Sequence, residues 1–160
     1  MDLSEITLRK FILSDADDVF LWGGMIESQR TDNWIPYPWC RSICFDDRSI
    51  GYVAIAPGSV ISGNDMCRTD IGYALFLEYW GKGIATMVLK LAVVEVFMEF
   101  PDIVRVQALV DVENKASQRV LEKVGFVKEG VLRKYQYIKG NLLDLIIFRF
   151  LSSDINIEEK

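Results

Sequence analysis

The chain contains no histidine, and that absence removes the commonest general base, the commonest transition-metal ligand and both the Ser-His and Cys-His nucleophilic pairs. Chemistry here runs on carboxylates, hydroxyls, thiols, lysines, backbone amides or a cofactor. Cysteine is scarce too. Cys40, Cys44 and Cys67 are an odd number in a chain long enough to need no staples, and without histidine they cannot complete an ordinary four-ligand zinc site. Reduced thiols and no metal are expected. Positive charge is in deficit: 18 Lys and Arg face 23 Asp and Glu, a formal charge of -5. That is the wrong sign for gripping a phosphate backbone, so nucleic acid is excluded as the main partner. Long apolar runs are missing, since stretches such as Leu145-Ile146-Ile147-Phe148 fall far short of the roughly 18 to 20 residues that span a bilayer. The start, Met1-Asp2-Leu3-Ser4-Glu5, is acidic where a signal peptide is basic. A cytoplasmic location with no membrane partner is expected.

What is present is a well-filled core. At 160 residues and 51% hydrophobic content, the chain has the size and composition of one folded domain. Glu5 to Leu13 reads as a strand, and Ser14-Asp15 caps a helix over Ala16 to Trp22 that Gly23-Gly24 ends. The aromatic, proline-broken segment Trp34 to Trp39 reads as a structured loop. Ser42 to Phe45 and Ile50 to Ala56 form a hairpin across Asp46 to Ser49, and Thr69 to Leu77 is a further strand. From Ile84 the apolar period becomes helical, with Val88, Leu91 and Ala92 on one side and a narrower polar side at Thr86, Lys90, Glu95 and Glu99. Ile103 to Val110 is a strand, Asn114 to Val124 a helix closed by Gly125, and Phe126 to Leu151 two strands joined at Lys139-Gly140-Asn141. One domain over residues 1–151 and a frayed tail over 152–160 are expected.

Two spots carry chemistry. Glu78-Tyr79-Trp80-Gly81-Lys82-Gly83 joins a strand to a helix. Two glycines one residue apart let the backbone N–H groups of Gly81 to Ala85 converge where the helix dipole favours an anion. The spacing fits neither a Walker A loop nor a dinucleotide fingerprint, and a plain chain-reversing turn explains the glycines as well. Asn114 can cap the later helix with Ser117 at its third position. Ser117 precedes Val120, Leu121 and Val124 by three, four and seven residues, which puts its hydroxyl on the buried face. A hydroxyl bonded to its own backbone is the alternative.

Asp70-Ile71-Gly72-Tyr73, Trp80-Gly81-Lys82-Gly83-Ile84-Ala85-Thr86, Asn114-Lys115-Ala116-Ser117, Val120-Leu121-Glu122-Lys123-Val124-Gly125-Phe126 and Glu129-Gly130 together resemble the GNAT superfamily of acyl-CoA N-acyltransferases. Within it they are most similar to the RimJ and RimL type branch of ribosomal-protein N-terminal acetyltransferases. The resemblance spans roughly Glu5 to Leu151. It implies an α/β (α+β) GNAT fold, a mixed, mostly antiparallel sheet of six to seven strands flanked by helices and splayed at a coenzyme cleft. It also implies acetyl-CoA as cofactor, with the pyrophosphate held by Gly81, Lys82, Gly83, Ile84, Ala85 and Thr86. The pantetheine arm would lie along Leu75, Phe76 and Leu77 like an added strand. Asn114 matches a coenzyme or acceptor contact, Ser117 the hydroxyl that protonates the departing thiolate, and Asp70 a position where other members place a catalytic glutamate. An exposed strand-end carboxylate is the other reading of Asp70. Trp34, Tyr37 and Tyr135 would line the acceptor side, core packing being the other role open to the tryptophans of that loop.

The missing histidine fits such a reaction. The acceptor amine is itself the nucleophile and the thioester arrives activated, so the site needs a route for one proton, donors at a carbonyl oxygen and an acid for sulfur. Three departures stand out. Glu78 occupies a position usually Gln or Arg, so its side chain should face away from the phosphates, leaving Lys82 as the nearest cation. Gln136 stands where some RimL-type enzymes carry a glutamate, leaving Asp70, a water chain or Asp144 as base. The segment before Ser42 fits one helix where two are usual. The expected function is an acetyl-CoA-dependent N-acetyltransferase acting on a protein N-terminus or a small amine, as monomer or homodimer. The rival is a catalytically silent CoA-binding sensor or interaction module.

Overall fold

The computed structural model describes residues 2–15, 18, 39–57 and 67–155. Its strands are β1 (Ile6–Arg9), β2 (Trp39–Phe45), β3 (Arg48–Pro57), β4 (Arg68–Leu75), β5 (Arg105–Asp111), β6 (Val127–Ile138) and β7 (Asn141–Leu151); its two α-helices among the described residues are α1 (Ile84–Glu99) and α2 (Lys115–Val124). All seven strands form one sheet in the order β1-β2-β3-β4-β5-β7-β6. Every neighbouring pair is antiparallel except β4 with β5. The two hairpins turn where the backbone goes left-handed at consecutive residues, Asp46 and Asp47 (φ 50 and 58) and Lys139 and Gly140 (φ 48 and 82), as tight two-residue connections require.

Strand alternation decides which side of the sheet carries the helices. Ile71 on β4 and Val106, Ala108 and Val110 on β5 join Ile84, Val88, Leu89, Ala92, Val93 and Val96 of α1 and Leu121 and Val124 of α2 in the main core. Their neighbours in sequence face the other way, where Tyr52 and Ala54 form a smaller cluster with Phe11, Cys40, Ala74 and Phe76. The helix α1 ends at Glu99, before Pro101, and Lys90, Glu95 and Glu99 are exposed as the period implies. Arg41 reaches Glu99 (3.2 Å) and Glu95 (3.8 Å) from β2.

Several expectations change. Trp39 belongs to β2 rather than to a loop and is 1% exposed, so it is a core residue and not part of an acceptor wall. The first strand closes at Arg9, because Ile12 to Asp15 instead form a tight turn held by a buried carboxylate. Asp15 takes a fork from Arg9 (2.7 and 2.8 Å) and the Ile12 N–H (2.9 Å). Ser152–Asp154 form a short 3-10 turn rather than part of a frayed tail, and residues 156–160 lie outside the described residues. Asp154 accepts from Arg149 (2.5 Å) and from the Leu151 N–H (3.0 Å), and Ile155 packs on the core. The helix over Ala16 to Trp22, apart from Asp18, and the loop over 34–38 lie outside the described residues. Asp18 joins Arg48 (2.8 Å) and the Ser49 N–H (3.2 Å).

The closest approach in the sheet is at Gly51, where a Cβ would stand 2.2 Å from the Ala74 carbonyl oxygen and 3.0 Å from the Leu75 Cα. Both obstacles are backbone, so β3 and β4 would have to separate. Gly51→Ala is expected to cost about 2–3 kcal/mol through that overlap, lowering the unfolding midpoint by several degrees in a thermal melt. A midpoint equal to wild type would show that β4 does not rest on β3 this closely.

Candidate active site

The ladder between β4 and β5 stops almost as soon as it starts. They pair in parallel at Arg68↔Arg105, Thr69↔Val106 and Asp70↔Gln107 and at no later position. Beyond Asp70, β4 stays with β3 as far as Gly51↔Leu75 while β5 follows β7. A wedge-shaped gap opens with Asp70 and Gln107 at its apex.

The Phe76 N–H donates to the Ile50 carbonyl (2.8 Å). In an antiparallel ladder this makes Gly51↔Leu75 a non-hydrogen-bonded pair, and alternation makes Val53↔Tyr73 another. The N–H and C=O of Tyr73 and Leu75 therefore turn away from β3 and into the gap. The Leu75 carbonyl already accepts from the Trp80 indole (2.8 Å), leaving the Leu75 N–H and both groups of Tyr73 on the open edge. This alters the expected set. Phe76 is committed elsewhere, its N–H to Ile50 and its carbonyl to the Tyr79 N–H (2.9 Å). Leu77 opens a short 3-10 turn, Leu77–Tyr79, and is exposed. Tyr73, rather than Phe76, turns its backbone N–H and C=O into the gap.

At the wide end of the gap, α1 begins at Gly83 (φ 82), two residues after Gly81 (φ 73). Both lie in the left-handed region that L side chains avoid. Space above them is free among the described residues. A Cβ on Gly81 would meet nothing within 4 Å, and one on Gly83 only Leu3 Cδ1 at 3.9 Å. Among the described residues no side chain caps the helix. Its first internal bond is Met87 N–H to the Gly83 carbonyl (3.1 Å), so the amides of Ile84, Ala85 and Thr86 precede any intrahelical acceptor. Sixteen aligned residues add a positive end at the same point. This is a cradle for an anion. Lys82 borders it, with Nζ 5.2 Å from the Tyr79 ring centroid. Glu78 is exposed and contributes to the field at Arg48, whose main partner is Asp18.

Across the gap, Asn114 caps α2 by accepting the Ser117 N–H (3.0 Å), as the spacing predicts. Ser117 is half-buried. Tyr73 packs against the main core. Burial pushes its phenol up from the ordinary value, and Ser117 works against that rise.

On the opposite face lies Asp70. Its Oδ1 is shielded from solvent and has no hydrogen-bond partner among the described residues. Burial pushes the carboxyl up, opposed by a hydrogen bond to Gln107 and by the charges of Arg68 and Arg105. Gln107 is held in turn. Its Oε1 accepts from Arg105 Nε (3.2 Å), which leaves its amide N–H for Asp70. Arg105 forks onto Glu129 (3.2 and 2.5 Å), and Arg149 spans Glu129 (3.5 Å) and Asp154 (2.5 Å). Glu129 reaches in from a bulge in β6 between Lys128 and Gly130. Gly72, two residues along from Asp70 on the same face, is exposed, with nothing among the described residues within 4 Å of a Cβ placed there.

The other carboxylate considered as base is committed to structure. Asp144 Oδ1 accepts the Lys134 N–H (2.7 Å), Oδ2 lies 3.9 Å from Arg133, and its carbonyl takes the Val112 N–H (3.1 Å). It pins a second β6 bulge between Leu132 and Gln136. Tyr135, 54% exposed, stands on that bulge, and Gln136 is exposed beside it. Trp34 and Tyr37 lie outside the described residues. The cysteines stay out of the site: burial pushes Cys40 up to about 11 and raises Cys44, while Cys67 is exposed. Among the described residues no cluster of His, Cys, Asp or Glu could hold a metal, and no helix is long and apolar enough to cross a membrane.

The upward shift at Asp70 fixes the sign of a stability effect. The unfolded carboxyl ionises near its ordinary value of about 4, the folded one later, so Asp70 weakens the fold as pH rises between the two and thereafter. Asp70→Asn keeps an acceptor for Gln107 and removes the charge. Its unfolding midpoint should exceed wild type at pH 8, by about 2–4 °C per kcal/mol relieved, and converge with it near pH 4. A midpoint lower at pH 8 would mean that the ionised carboxylate is stabilised rather than strained.

Comparison with known proteins agrees with this geometry. The family model for the acetyltransferase (GNAT) domain matches residues 5–127. The probable N-acetyltransferase YjcK of Bacillus subtilis is 39% identical over 151 residues, covering 91% of this chain and 81% of YjcK. The uncharacterized N-acetyltransferase p20 of Bacillus licheniformis is 36% identical over 87 residues, 54% of this chain. That match spans about half of the relative's length, 48%. Among solved structures, the ribosomal-protein-S5-alanine acetyltransferase of Vibrio fischeri superposes with TM-score 0.72 at 22% identity, covering 96% of this chain and 97% of that one. Mycobacterium smegmatis RimJ in complex with CoA-disulfide superposes with TM-score 0.71 at 23% identity, covering 94% and 84%. By its sheet, its parted strands and its sequence over residues 5–127, the chain belongs to the GNAT acetyltransferase family.

Proposed function

We propose that this chain is an acetyl-CoA-dependent N-acetyltransferase that works in the cytoplasm on a primary amine, either a protein N-terminus or a small molecule. The observation that carries the reading is the parting of β4 from β5 above a left-handed glycine cradle, because it offers one extended backbone edge and one anion site in line. The residues fit the coenzyme. The amides of Ile84 to Thr86, with Gly81, Lys82 and Gly83, would hold the pyrophosphate, and the Tyr73 and Leu75 backbone would hold the pantetheine amides. When bound, acetyl-CoA supplies an acetyl group activated as a thioester.

The chain itself supplies proton transfers. Asp70 has an oxygen shielded from water with no hydrogen-bond partner among the described residues, and burial raises its carboxyl above the ordinary value, features that suit a base taking a proton from an ammonium. Open room over Gly72 gives the amine a place to stand. Ser117 Oγ–H gives a proton on the sulfur side, and Asn114 holds the turn that presents it. Tyr135, on the bulge pinned by Asp144, would contact the acceptor. With Asp144 committed and Gln136 unable to accept a proton, Asp70 is the carboxylate left for the task.

A thiol-release assay over a panel of amines tests the reading. Amine-dependent thiol production is expected; tight CoA binding with none would mean a silent CoA-binding module instead. Ser117→Ala is expected to lower kcat about 100-fold with CoA affinity within about twofold, and an unchanged kcat would remove Ser117 from the chemistry. Gly83→Val places a branched side chain in a left-handed position and should weaken CoA binding at least about tenfold by calorimetry, roughly 1.4 kcal/mol. Full affinity in that variant would make the turn purely structural.

A further inference from the structure

A surface helix ordinarily turns charge to the water and apolar residues to the core. The outer side of α1 does the reverse. Leu91, Val94 and Met98 are 50%, 41% and 78% exposed, and Met87 beside them is half-buried. From Met87 these residues follow one another at intervals of four, three and four. At about 100° per residue they fall on one stripe, roughly 16 Å long, opposite the buried Leu89, Ala92, Val93 and Val96. The sequence period groups Leu91 with Val88 and Ala92 because both sides of the helix are apolar. Charge lies only on the borders of the stripe. Lys90 is on one border, exposed and in no ion pair among the described residues, and Glu95 and Glu99 are on the other. Arg41 serves both glutamates (3.8 and 3.2 Å), so one negative charge on that border is left over.

We propose that this stripe is where two copies of the chain meet, α1 against α1 in parallel, about a two-fold axis that runs along the helices. The intervals are those of a coiled-coil seam, with Leu91 and Met98 at a, Met87 and Val94 at d, Lys90 at g and Glu95 at e. Direction follows from the borders. With the helices parallel, the Lys90 border of each copy faces the glutamate border of the other, and the g and e positions are those that pair between helices. Antiparallel helices would set lysine against lysine and glutamate against glutamate. The seam is short, but its helix is already held by its own sheet, so association has little left to order. A membrane surface is the poorer fit, because helices that lie on one are rich in lysine and arginine along the polar side, and this one carries two carboxylates there.

Gel filtration with light scattering, loaded at about 100 µM because four side chains make a small contact, should give twice the chain mass of 18.3 kDa. Leu91→Glu, at an exposed position, should melt within about 2 °C of wild type and run as a monomer. Lys90→Glu should weaken the dimer about fivefold, and adding Glu95→Lys should restore it. Direction has its own readout. With the exposed Cys67 replaced by serine, Met98→Cys should cross-link to itself on mild oxidation, since parallel helices bring identical positions together, whereas antiparallel ones set position 98 beside 91. A monomeric wild type, a dimer that survives Leu91→Glu, no rescue by Glu95→Lys or no cross-link at position 98 would each overturn the proposal. So would a monomer that floats with phosphatidylcholine vesicles, which would assign the stripe to lipid.

Discussion

The candidate site depends on a ladder left incomplete. Strands in one sheet ordinarily satisfy each other's N–H and C=O groups along their length, and a buried edge that fails to do so is costly. Here β4 and β5 bond at three positions and then separate. The sheet holds its shape because each has a full partner on its other side, β3 for β4 and β7 for β5. Gly51 lets β3 come close enough to keep β4 straight while its far edge stands open. The gap is thus a fixed part of the sheet, and a ligand with amide groups can complete what the strands leave undone. The glycine turn follows because β4 must reverse into α1 at the mouth of that gap, which aims the first amides of the helix into it.

A site without histidine must tune what remains, and the polar face of the sheet shows how. Asp70, Gln107, Arg105, Glu129, Arg149 and Asp154 form one line of contacts across β4, β5, β6 and β7, ending just past β7. Acid and base alternate along most of it, so the charges at the far end are mutually satisfied. Neutral Gln107 is the break. It gives Asp70 a hydrogen bond without a charge of its own, and burial outweighs that bond and the charges of Arg68 and Arg105, so the carboxyl rises. An arginine at position 107 would give a paired, acidic Asp70 useless as a base near neutral pH.

Much of this was legible in the sequence because it is local. The glycine turn, the Asn114 cap with Ser117 at its third position and the two hairpins are each set by a few consecutive residues and lie where the sequence places them, the hairpin turns being two residues, tighter than the four and three residues read from the sequence. Ser117 on a buried face followed from its distance to Val120, Leu121 and Val124. Gln107, Arg105 and Glu129 were missed because their meaning is in strand order, β5 lying between β4 and β7, which no periodicity encodes. The core role the sequence left open for a tryptophan of that loop falls to Trp39, and Asp144, one of the alternatives for a base, pins a bulge; nothing local in the sequence separates those roles from others.

Strand parity then divides the chemistry in space. Asp70 and Tyr73 are three positions apart on one extended strand, an odd number, so their side chains leave opposite faces of the sheet about 10 Å apart along it. Asp70 is on the face where, among the described residues, nothing fills the space over Gly72, and Tyr73 is on the face covered by α1 and α2. On the proposed reading, a substrate amine over Gly72 would meet Asp70, and a thiolate along the gap would meet Ser117 from the other side. An even spacing would have put the Asp70 and Tyr73 side chains on one face, where a carboxylate and a phenol in contact would share a proton. On that reading the separation would let a carboxylate and a hydroxyl divide the work of one histidine.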